Sequence, residues 1–198
     1  MQQLQLICVA ATGTNNVDLD AAKRKGISVC NVRDYASASV VQHVFMLILN
    51  LSTQFLSYQG ALKRGLWHTS EHFCLLDFPI SELAGNTLGI IGYGVLGHAV
   101  AAVAKAFGMS VMIAERKGAA PRSGRTSFEE VLAQADVISL HCPLTESTKG
   151  LISEAELASM KDSAFLINAA RGGIVDEAAL VVAIRQGQIA GARAHRSV

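Results

Sequence analysis

The sequence predicts an α/β fold built on a doubly wound parallel sheet, and three observations carry that expectation. From residue 87 onward, short apolar runs alternate with helix-like stretches. The runs are continuously apolar, as strands covered on both faces must be. Capping and turn residues fall at the boundaries, giving the strand–helix–strand rhythm of parallel β–α–β units. Composition agrees. The 198 residues are 51% hydrophobic and only 17% charged, enough to bury a core. Lys+Arg 17 against Asp+Glu 16 leaves a net charge of +1, which argues against nucleic-acid binding and against disorder.

Residues 4–10 read as a strand, residues 19–25 as a short helix ended by Gly26, and residues 27–30 as a second strand. A long apolar-periodic helix is expected over residues 37–56, greasy enough for core or for a subunit interface. Residues 58–83 carry the only tryptophan, Trp67, and read as helix plus irregular chain. Strand 87–91 leads into helix 95–107, closed by Gly108, and strand 110–114 follows. Ser127-Phe-Glu-Glu130 and Ser153-Glu-Ala-Glu156 have the spacing of capping boxes, each opening a helix. Strands are expected at 136–140 and 164–168, and Asp176 caps a helix over 177–186 that Gly187 ends.

No apolar run approaches the ~20 residues of a bilayer span, and Asn50 interrupts the greasiest, residues 44–51. The first residues lack the basic region of a signal peptide. Cys8, Cys30, Cys74 and Cys142 show no metal or framework spacing, which suggests reduced, mostly buried thiols and a cytoplasmic setting. His68 and His72, four apart, lack an acidic or thiol companion and read as surface residues; no metal is expected.

Chemistry concentrates after the strands. Gly92-Tyr93-Gly94-Val95-Leu96-Gly97 fits G-x-G-x-x-G between a strand and a helix. The first glycine permits the tight turn, the second lets a pyrophosphate approach bare backbone, and the third lets helix and strand pack closely. Phosphate would then meet N–H groups at a helix N-terminus. The alternative is a glycine turn used for packing alone. Glu115, 18 residues after Gly97, follows the next strand, where a carboxylate can take ribose hydroxyls and repel a 2′-phosphate. It favours NAD over NADP, with the adjacent Arg116 pulling the other way. In Asn168-Ala169-Ala170-Arg171-Gly-Gly173 an arginine at a strand end suits a carboxylate ligand, or equally a helix cap. His141-Cys142-Pro143 also follows a strand: His141 reads as a pocket-lining residue or a catalytic acid, and His43 as a packed helix histidine.

Six stretches together carry a resemblance: AATGTNNVDLD (10–20), GISVCNV (26–32), SVVQH (39–43), GIIGYGVLG (89–97), SLHCPLT (139–145) and INAARGGIVDE (167–177). The chain is similar over nearly all of residues 4–191 to the D-isomer-specific 2-hydroxyacid dehydrogenases. FCLLDFP (73–79) and the 10–16 stretch are most similar to the glycerate dehydrogenase/hydroxypyruvate reductase branch. The resemblance implies a Rossmann-type NAD-binding domain over residues 34–198 with a helical dimerisation arm, and a remnant of an α/β substrate domain over residues 1–33. It implies a homodimer acting on a small 2-hydroxy or 2-keto acid. Arg171 corresponds to the carboxylate-binding catalytic arginine, and Thr12 and Gly13 to the backbone that meets the substrate carboxylate. Gly92, Gly94, Val95, Leu96 and Gly97 would hold the pyrophosphate and Glu115 the adenosine ribose. His141, Cys142 and Pro143 would line the adenine side, with Ala169 and Ala170 also at the cofactor.

The chain departs from the family pattern at both ends. It opens almost on the first motif, and after Ala190-Gly191-Ala192 it reads ArgAlaHisArgSerVal where the family continues to a glutamate and the catalytic histidine. His195 stands too early to be that histidine. The expectation is a truncated or frameshifted product with impaired activity. A non-catalytic NAD-binding module and an inactive dimerising remnant are the alternatives, while the Arg171 and 10–18 motifs speak against an adenosylmethionine-binding fold.

Overall fold

The computed structural model describes residues 3–14 and 16–194, and the chain divides into two compact units, Met1–Ser37 and Ala38–Val198. His195 lies outside the described residues.

The first unit is a single parallel β–α–β turn: β1 (Leu6–Val9), α1 (Leu19–Arg24) and β2 (Ser28–Asn31), with Leu6 beside Ser28 and Val9 beside Asn31. Asp18 starts α1 by accepting the Ala21 N–H at 2.7 Å. Gly26 follows the helix at φ +67°, a left-handed conformation that costs glycine little.

The second unit opens with α2 (Ser37–Ser52), α3 (Phe55–Lys63) and α4 (Leu66–Thr69). The single helix expected over 37–56 is instead broken after Ser52, with 62° between α2 and α3. Thr53 Oγ1 donates to the Leu49 carbonyl at 2.6 Å alongside its own N–H at 3.0 Å, and Gln54 turns left-handed at φ +51°. Among the described residues, no single helix is long and apolar enough to cross a bilayer.

There follow β3 (Thr87–Ile91), α5 (Val95–Ala106), β4 (Ser110–Ile113), α6 (Phe128–Gln134), β5 (Val137–Leu140), α7 (Glu154–Ser159), β6 (Phe165–Asn168), α8 (Glu177–Arg185) and β7 (Gly191–Ala194). The strands form one sheet in the order β4-β3-β5-β6-β7, every pairing parallel. Successive residues serve opposite faces. Ile90, Val137 and Ile167 pack with Val44 and Ile48 of α2 and Val100 and Ala104 of α5. Ile91, Ile138 and Leu166 pack with Val131 and Leu132 of α6, Leu157 of α7 and Leu180 of α8. Two cores on one parallel sheet are what a doubly wound fold requires, and they explain why the strands read as unbroken apolar runs.

The caps behave unequally. Asp176 accepts the Ala178 and Ala179 N–H groups at 2.9 and 3.1 Å, and Ser153 with Glu156 forms a complete capping box. Ser127 accepts the Glu130 N–H at 3.3 Å, but the Glu130 carboxylate accepts from Gln134 instead of reaching back, so that box is half formed. Two further expectations are corrected. The cysteines are free, yet Cys8 and Cys30 are exposed, and Cys74 and Cys142 are only partly buried. His43 is exposed on α2, because it lies beside the buried Val41 and Val44 positions and not on their stripe.

Candidate dinucleotide site at the carboxyl edge of the sheet

Parallel strands all end on one edge, and this edge gathers the predicted residues of the second unit. Ile91 pairs with Leu140 and Leu140 with Asn168, so the loops that begin at Gly92, His141 and Ala169 leave the sheet side by side. β4 lies on the other side of β3 and ends just before Ala114 and Glu115. The chain therefore reverses its winding direction about β3, and the crevice at such a reversal is where open α/β sheets bind ligands.

The glycines of the turn divide their tasks. Gly92 sits at φ +94°, and a Cβ there would lie 2.6 Å from both Cys142 N and the His141 carbonyl carbon. A Cβ on Gly97 would collide with the Gly92 carbonyl oxygen. These two positions hold β3, α5 and the 141–142 loop together at backbone contact. Gly94 differs: its φ is −91°, and nothing stands within 4 Å of where its Cβ would be. Packing gives no reason for a glycine there, whereas an approaching phosphate does. Gly94 is also the N-cap of α5 and makes no side-chain capping bond, so first-turn N–H groups of Val95, Leu96 and Gly97 remain for an anion. His98 Nδ1 meets the Gly94 carbonyl at 2.8 Å, and its ring stacks on Tyr93 at 3.7 Å, bracing the turn from behind.

His141 continues the ladder through its N–H to the Ile91 carbonyl at 2.7 Å. Its ring Nε2 lies 2.9 Å from Ser139 Oγ, while the buried Nδ1 has no hydrogen-bond partner. Burial pushes its pKa down to about 4, so the ring is neutral near pH 7. Burial also raises the Cys142 thiol. The Pro143 carbonyl accepts from Thr148 Oγ1 at 2.6 Å, tying down the loop that follows.

Arg171 is held by a clamp that sequence reasoning did not single out. Asn168, 2% exposed, donates to the Arg171 carbonyl at 2.7 Å and accepts the Ala170 N–H at 3.1 Å. The guanidinium is half-buried and donates one N–H to the Ala170 carbonyl at 2.8 Å. The remaining donors of its planar fork suit a carboxylate. Asparagine at the last residue of the strand, three before the arginine, was the available signal.

Glu115 stands at the end of β4, as expected, and is already engaged within the chain. Its side chain is 3% exposed and faces Arg122, whose Nε and Nη2 donate to it at 2.6 and 2.8 Å. The Arg116 N–H donates at 2.9 Å and the Arg122 N–H at 3.4 Å. The Arg122 fork first, and the Arg116 amide next, hold the Glu115 carboxyl down to about 2. In the first unit, Thr12 and Gly13 lie in the loop after β1, where the Thr12 carbonyl accepts from Asn31 Nδ2 at 2.7 Å.

The sheet order and the glycine turn define the class: a nucleotide-binding α/β domain of the doubly wound type. Comparison gives the family. Residues 45–194 match the family model described as D-isomer specific 2-hydroxyacid dehydrogenase, NAD binding domain. This chain belongs to that family. It is 48% identical over 192 residues to a glycerate dehydrogenase of Methylorubrum extorquens, covering 97% of this chain and 60% of the relative. It is 37% identical to a hydroxypyruvate reductase of Blautia hydrogenotrophica, covering 96% and 60%. Among solved structures, a D-lactate dehydrogenase from Aquifex aeolicus complexed with NAD and lactic acid superposes with a TM-score of 0.82 at 36% identity, covering 96% of this chain and 56% of that one. The chain thus spans about three fifths of the relatives it matches.

Proposed function

We propose that the chain takes part in hydride exchange between NAD(H) and a small 2-hydroxy or 2-keto acid, with glycerate and hydroxypyruvate as the substrate pair. The observation that carries this reading is Gly94: an open, uncapped position at a helix N-terminus within a turn whose other glycines are needed for packing. When bound, the nicotinamide cofactor supplies the hydride chemistry. The chain's own contribution is to hold the pyrophosphate with the 94–97 backbone and line the crevice with His141, Cys142, Pro143, Ala169 and Ala170. Arg171 orients the substrate carboxylate through its free N–H groups. For Thr12 and Gly13 the assignment to substrate binding rests on their motif alone. The first unit serves as part of a substrate domain, and the second as the NAD-binding domain. A cytoplasmic setting is supported by four unpaired thiols.

An arginine can place a carboxylate but does not exchange the hydroxyl proton, and acid–base help of that kind contributes ~10²–10⁴-fold. NADH is expected to raise the melting temperature of this polypeptide, by an amount corresponding to about 2.7 kcal/mol at a hundredfold excess over Kd. A melting temperature indifferent to millimolar NADH overturns the binding reading.

The stretch from α4 to β3, mostly irregular chain, supports a second copy of the chain as partner. Phe73 is 94% exposed, Leu76 78% and Ile80 58%, beside the half-exposed Trp67. Together with Leu62 and Tyr58, Trp67 and Ile80 line a shallow apolar depression. Apolar surface of this extent marks an association site. Sedimentation is expected to show a dimer that Phe73→Ser with Leu76→Ser dissociates; a wild-type monomer at tens of micromolar overturns the assembly.

A further inference from the structure

The acid that follows β4 is already committed within the chain, and this changes what the ribose end of the site can select. An ionised carboxylate offers about four acceptor directions. On Glu115 four donors occupy them: Arg116 N and Arg122 Nη2 on Oε1, Arg122 N and Nε on Oε2. A second guanidinium, Arg125, stands 4.0 Å from Oε2 and anchors itself on the Ala114 carbonyl at 3.2 Å. No other acid occurs between Glu115 and Glu129, so one carboxylate faces the two guanidinium cations of Arg122 and Arg125. Lys117 is spent elsewhere, on Glu156 at 2.8 Å.

The loop that carries these cations is fixed at its return. Glu115 N–H donates to the Thr126 carbonyl at 2.8 Å, and Thr126 N–H to the Ile113 carbonyl at 2.9 Å. Arg122 is thereby brought back beside the strand end, with 64% of its side chain still exposed to solvent. A glutamate in this place discriminates against NADPH in two ways: it accepts the ribose hydroxyls, and it repels a 2′-phosphate. Here the acceptors are taken and the local charge is positive, so both effects are cancelled. Arginine, moreover, is well matched to phosphate.

We propose that Arg122 sets the nucleotide preference of this chain, by neutralising Glu115 and presenting a cation at the ribose 2′ position, so that the site admits NADPH as well as NADH. The proposal rests on the dinucleotide reading given above and deepens it. Releasing Glu115 from Arg122 should restore an acidic ribose subsite selective for NADH, whereas neutralising Glu115 should free Arg122 for a phosphate.

The test is calorimetric titration of the 198-residue chain with NADH and with NADPH, repeated with AMP and with adenosine 2′,5′-bisphosphate to isolate the ribose end. For the wild type the two dissociation constants are expected to agree within about tenfold. Arg122→Ala is expected to shift the ratio at least about tenfold toward NADH, and Glu115→Gln to shift it toward NADPH. A wild-type preference for NADH of about a hundredfold or more overturns the proposal, and so does a ratio unmoved in Arg122→Ala. If that variant does not fold, the wild-type ratio and the AMP pair decide alone. Binding of neither dinucleotide overturns the dinucleotide reading itself, an outcome distinct from NADH binding with NADPH refused.

Discussion

Replacing Gly92 by alanine is expected to cost the fold about 3 kcal/mol or more, while replacing Gly94 is expected to leave stability unchanged and to weaken NADH binding at least about tenfold. The difference follows from geometry and not from the shared motif. At Gly92 the new methyl would meet backbone atoms of His141 and Cys142 at 2.6–2.8 Å, and φ is +94°. Neither backbone can move without parting β3 from β5, since His141 N–H is bonded to the Ile91 carbonyl. At Gly94 the methyl enters open space at a φ of −91°, which alanine adopts freely. That space is where a pyrophosphate must come to reach the first-turn amides of α5. Urea midpoints and NADH titrations on the two variants separate the readings. If Gly94→Ala binds NADH as well as the wild type, the turn is a packing device and the functional proposal fails with it.

The parts of this molecule that were legible in the sequence are those set by local rules. Uniform apolar strands, Asp176 before α8 and the 153–156 box each carry their reason within a few residues. The glycine turn was legible for the same reason, although only the structure assigns packing to Gly92 and Gly97 and openness to Gly94. What escaped depends on contacts that spacing does not encode. No glycine or proline announces the break after Ser52; it falls where Gln54, a residue without glycine's freedom, takes a left-handed φ of +51°. His43 lies in an apolar helix and reads as core, yet the stripe runs through Val41, Val44 and Ile48 and leaves it outside. Arg122 lies in a Gly/Pro/Arg-rich loop with no periodicity, and its pairing with Glu115 exists only because the Thr126 hydrogen bonds fold that loop back onto β4.

Stability is expected to fall by about 3 kcal/mol as pH drops from 6.5 to 4, with His141 as the cause. In the unfolded chain the ring titrates at its ordinary value near 6.5; in the fold, burial holds it down to about 4. Between those values the unfolded state binds a proton that the native state refuses, so protons favour unfolding. Above 6.5 both states are neutral and the effect vanishes; below 4 both are charged and the loss is complete. Glu115 and Glu156 add a separate limb at lower pH. For Glu115 the Arg122 fork lowers the carboxyl to about 2; for Glu156 burial opposes, but hydrogen bonds from Lys117 and Ser153 prevail and also bring it to about 2. Their stabilisation is present above about 4.5 and lost as pH falls toward 2. The limbs are therefore separable: His141→Asn should flatten the curve from 6.5 to 5 and leave the steeper decline below 4.5 in place. Urea unfolding at half-unit steps of pH measures both. A wild-type curve flat from pH 7 to 5 means that the ring protonates in place. The same titration bears on the charge at the crevice, because a ring that stays neutral until about pH 4 carries one N–H and no imidazolium proton near neutrality. Near pH 7 the buried ring is therefore a neutral, uncharged part of the crevice lining.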